Sequence, residues 1–74
     1  MENPGVSVVV RALISGFITV SETGRLLREL VPAEDERPES FDALRLANIA
    51  GDVSDETYAG VLEAVKALDE QLAR

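Results

Sequence analysis

The sequence predicts an all-α fold: a small bundle of four helical segments at about 4–15, 20–31, 41–50 and 55–73, forming a single domain over residues 1–74. Three observations lead there. Apolar residues recur at helical spacing, most cleanly over 20–31. Capping and stop residues bracket each segment. The chain also has no cysteine and no histidine, so a domain this small has neither a disulfide nor a common zinc site to hold it together. Helix packing or oligomerisation must supply the stability.

Asn3-Pro4 reads as the start of the first helix, with Asn3 as N-cap and Pro4 at the first helical position, where a missing N–H costs nothing. Gly16 reads as the left-handed residue that ends it, with Phe17 placed to fold back on the last turn. The run has an alternative. Val6, Val8, Val10, Ala12 and Ile14 also alternate at strand spacing, so an N-terminal β-hairpin over 6–20, turning at Ser15-Gly16 and followed by helices, competes with the helix.

The second helix is marked by a capping box, Thr19 with Glu22 three residues on, and it stops before Pro32. Val20, Thr23, Leu26, Leu27, Leu30 and Val31 fall on one side of its wheel, and Glu22, Arg25, Arg28 and Glu29 on the other. Gly24 lies on the apolar side. It weakens the helix by up to about 1 kcal/mol relative to Ala, but it lets another backbone come close, which suggests a tight crossing.

Pro32 to Ser40 combines two prolines with five charges and no large apolar side chain, and reads as a solvated loop. Ser40 can cap the third helix and Gly51 can end it. Ser54 caps the last helix, with Asp55 and Glu56 in its first turn, where the helix dipole favours acids. Tyr58, Val61, Val65, Leu68 and Leu72 form its apolar stripe. Gly60, Ala64 and Ala67 make a face of small side chains that can admit a close neighbour.

Charge divides the chain. Residues 1–31 carry three basic and three acidic side chains, whereas 32–74 carry four and eleven, so the whole net charge of −7 lies in the second part. That part should face water or a basic partner, and the neutral first part is freer to be buried. Clustered Lys and Arg that would bind a phosphate backbone are lacking, so no direct nucleic-acid binding is expected. The loop after the second helix has nine residues, too many for the three- or four-residue turn of a helix-turn-helix reader. Arg25 and Arg28, with Arg37 and Arg45 further on, could face one surface and bind a phosphate ligand, but Glu22 and Glu29 stand within one turn of the first two and are expected to neutralise them.

The first segment is also a poor membrane anchor. Gly5 to Val20 is sixteen residues against the roughly 20 a span needs, and a central Arg11 would cost about 2.5–3.5 kcal/mol. The opening "MENPG" has an acid where a secretory signal has bases. No membrane association and a cytoplasmic location are therefore expected.

The same residues argue against an enzyme. The serines have no histidine to activate them, there is no glycine-rich phosphate loop, and the acidic run Glu34, Asp35, Glu36 lacks the ordered spacing of a calcium loop. No catalytic residue, cofactor or metal site is expected. Well over half the circumference of the first helix is apolar, more than one small neighbour can cover.

The function expected is therefore non-enzymatic protein–protein interaction: a self-associating assembly or adaptor component, dimeric through Val6, Val8, Val9, Ala12, Leu13 and Phe17. Its acidic outer surface would meet a basic protein through Glu34, Asp35, Glu36, Glu39, Glu63 and Glu70. The alternative is a small acidic inhibitor or nucleic-acid mimic that binds a basic protein surface. A transcriptional regulator is a third class and would show duplex binding at low salt.

Overall fold

The computed structural model describes residues 4–73, and among them there is no strand. Helix α1 is Pro4–Ile14, α2 Val20–Leu30, α3 the single turn Arg37–Ser40, α4 Asp42–Ala50 and α5 Asp55–Leu72, with a 3₁₀ turn at Glu34–Glu36. The four expected segments are present with ends within about a residue of those expected. The hairpin alternative is overturned, because the whole valine run of 6–14 is helical. Asn3 lies outside the described residues.

The expected punctuation explains these ends. Glu22 N–H donates to Thr19 Oγ1 at 3.1 Å and Thr19 N–H to Glu22 Oε1 at 3.3 Å, so the capping box closes in both directions. Thr57 N–H donates to Ser54 Oγ at 3.1 Å at the start of α5. Gly16 and Gly51 stand at φ 80° and 89°, the left-handed region that a side chain resists. Past each of them the chain donates back into the helix it has left, from Phe17 N–H to the Ala12 carbonyl (3.0 Å) and from Asp52 N–H to the Ala47 carbonyl (2.9 Å). The Phe17 ring, however, does not fold back and is 83% exposed. Ala12, the residue it would cover, offers only a methyl group.

Helices α2 and α5 make the most extensive helix pair. A Cβ at Gly24 would sit 2.5 Å from the Ala64 Cβ and 3.3 Å from the Val61 carbonyl oxygen, and a Cβ at Gly60 would sit 3.2 Å from a Val20 methyl. The small face of α5 therefore receives the glycine of α2, the tight crossing that the sequence suggested. Around it lies a core of Val6, Val10, Leu27, Val31, Phe41, Leu44, Ala47, Val53, Val61 and Val65. Six of these ten are valines, so the helices pack closely around a thin core. Thr23 is fully buried among them, and its hydroxyl donates to the Thr19 carbonyl at 2.7 Å.

Pro32–Ser40 differs from the expected loop: Glu34 to Ser40 is coiled into the 3₁₀ turn and α3. Arg37 organises it. Its Nε donates to the Val31 carbonyl at 3.0 Å and its Nη2 to the Pro32 carbonyl at 3.1 Å, two acceptors just past the end of α2. Ser40 is buried at the end of α3 and caps nothing. Phe41 occupies the cap position of α4 with no side-chain cap, and its carbonyl accepts from Leu44 and Arg45 instead.

Candidate functional site

The residues expected to self-associate separate into two groups. Val6 is fully buried in the chain's own core, and Val9 and Leu13 pack half-buried against it. That group is already used. Val8 is 68% exposed, Phe17 still more so, and Ala12 is half-exposed. Helix α4, which packs on α1, adds Leu46 at 52% and Ile49 at 68%. On a wheel these two lie opposite the buried Leu44 and Ala47. Two neighbouring helices thus send large apolar side chains to solvent. Sequence reading did not single out Leu46 and Ile49, because "FDALRLANIA" is apolar on several sides and its wheel alone does not say which side is covered.

The acidic candidates are all at the surface. Glu34, Asp35, Glu36 and Glu39 lie on the 3₁₀ turn and α3, while Glu63 and Glu70, two turns apart, share a face of α5. Among the described residues no group of three or more acidic side chains is placed to hold a metal ion, and no helix is long and apolar enough to cross a membrane.

The four arginines do not form one phosphate-binding surface. Arg25 pairs with Glu29 at 3.6 Å on α2, and Arg45 with Asp42 at 3.0 Å on α4. Arg28 is not neutralised within its own helix. It faces α5, where its Nε donates to Asp69 Oδ1 at 2.8 Å. Arg37 grips the same carboxylate from α3, with Nη1 on Oδ2 and Nη2 2.9 Å from Oδ1. One carboxylate thus ties three segments together. Hydrogen bonding to Arg37, helped by Arg28, holds the Asp69 carboxyl down at about 2, and Asp69 in turn raises the Arg37 guanidinium against the opposing effect of its burial. Nothing local in the sequence marks Asp69, because its partners are 41 and 32 residues away.

Beside this knot, between α3–α4 and α5, runs an open groove of about 580 Å³. Its lining includes the apolar Phe41, Tyr58, Leu62 and Val65 and the basic Arg37, Arg45 and Lys66. No family model, curated protein or solved structure matches the chain. Two surfaces stand out among the described residues: the outward apolar faces of α1 and α4, and this groove.

Proposed function

We propose that the protein is a non-enzymatic protein–protein interaction module, a self-associating assembly or adaptor component of the cytoplasm. The observation that carries the proposal is the pair of outward apolar faces, Val8 with Phe17 and Leu46 with Ile49, left uncovered after the core is filled. Scattered apolar residues on a surface are ordinary, but large ones on neighbouring helices of so small a domain favour burial against another copy. Under this reading α1 serves two purposes. Val6 and Val10 hold it to its own bundle, and Val8, Ala12 and Phe17 present it to the partner.

Analytical ultracentrifugation at micromolar concentration tests the reading with the wild type beside Val8→Glu. A dimeric wild type and a monomeric variant with unchanged helical circular dichroism are expected. A monomeric wild type would reject self-association.

The exposed carboxylates of the 3₁₀ turn and α3, with Glu63 and Glu70, support a second reading, the capture of a basic protein surface. Salt separates the two. Electrostatic capture weakens steeply with ionic strength, whereas an apolar self-contact hardly changes.

A further inference from the structure

We propose that the groove between α3–α4 and α5 is a docking site for a short amphipathic helix that carries an acidic residue beside its apolar face. The inference does not depend on self-association through α1 and α4, because it rests on different residues.

The shape argues for a helix. The groove follows α5 from Tyr58 to Asp69, eleven residue steps or about 16 Å of helix, which matches a guest of three turns with anchors at i, i+3 or i+4, and i+7. Its apolar lining is already in place. Phe41 and Val65 are buried, and Leu62 remains 37% exposed. Arg37, clamped by Asp69 and by two backbone carbonyls, fixes the wall made by α3.

The charge argues for an acid. In a chain of net charge −7, the groove is lined by three of the seven basic side chains and only two of the fourteen acidic ones, Glu34 and Asp69. Its lining thus carries one more basic than acidic side chain, against the excess of acid over the chain as a whole. Arg37 and Arg45 already hold Asp69 and Asp42. Lys66 forms no ion pair with Glu63 or Glu70 on its own helix. A guest carboxylate would therefore settle at Lys66, one turn from Leu62. The guest's outer face must avoid excess negative charge, since Glu63 and Glu70 flank this end.

The test is selection from a displayed library of helical peptides of about twelve residues against the full chain, with counter-selection against Leu62→Glu. Enriched peptides should share the apolar i, i+3 or i+4, i+7 pattern and an Asp or Glu at one edge. Their affinity should fall roughly tenfold or more in Leu62→Glu and roughly twofold to fivefold in Lys66→Glu. Lys66 is exposed, so its variant keeps the test valid even if Leu62→Glu unfolds. The proposal is overturned if no peptide is enriched, if the enriched peptides carry bases in place of acids, or if they bind Lys66→Glu as well as the wild type. It is also overturned if Leu62→Glu, with its helical circular dichroism unchanged, converts a dimer to a monomer in sedimentation, because a second copy then fills the groove.

Discussion

The two helix pairs of this small bundle are built on opposite terms. At the α2–α5 crossing, side chains have been reduced to almost nothing, so that Gly24 rests on Ala64 and Val20 on Gly60. At the α1–α4 pair, Val6, Val10, Leu44 and Ala47 fill the inside, yet Val8, Leu46 and Ile49 remain outside in water. A crossing held by missing side chains tolerates no added volume, while a surface of surplus side chains tolerates nearly any change that leaves the helix intact. The first pair secures the fold. The second leaves large apolar side chains in water.

The comparison can be broken most severely at the centre. Leu27, fully buried on α2, should cost about 2–5 kcal/mol as Leu27→Ala, measured by urea unfolding and enough to threaten a domain of this size. Gly24→Ala should follow. Its new methyl would meet the Ala64 methyl 2.5 Å away, and the overpacking, about 1–3 kcal/mol, should exceed the roughly 1 kcal/mol gained in helix propensity. Adding Ala64→Gly to that variant should recover part of the loss. If Gly24→Ala proves stabilising on its own, the crossing is looser than the geometry states.

Asp69 sharpens the contrast by pH. Its carboxyl is lowered from 3.8 to about 2 by Arg37 first and Arg28 second. A lowered folded-state value means that the unfolded chain takes up the proton first. The stabilisation is therefore complete above about pH 4 and is lost as pH falls toward 2. Thermal melts across that window should show a slope that Asp69→Asn reduces. Further down the scale, Thr19→Ala opens the capping box of α2 and should cost about 1 kcal/mol, read as a lowered urea midpoint. The smallest effect belongs to the outer pair. Val8→Ser, measured at a concentration where the chain is monomeric, should change unfolding stability by no more than about 0.5 kcal/mol.

Much of the fold was legible because its signals are local. Thr19 with Glu22, Ser54, Gly16, Gly51 and Pro32 each settle a backbone hydrogen-bond question within a few residues, and the helix ends follow from them. Gly24 was legible too, since a glycine on the apolar side of an otherwise regular helix has little purpose except close approach. Pro32–Ser40 misled, because prolines and charges describe loops in general. Arg37 coils this one by reaching Val31, Pro32 and Asp69 at once.

By itself, then, the sequence determined where the helices start and stop, that the net charge lies in the second part, and that α1 carries more apolar surface than one small neighbour covers. The tertiary structure alone decided which part of that surface is spent. It buried Val6 and left Val8 and Phe17 free, turned Leu46 and Ile49 outward, and joined Arg28 and Arg37 on Asp69. The physical reason is range. A helix end is fixed by groups three or four residues apart, whereas the face a helix buries depends on which distant helix packs against it.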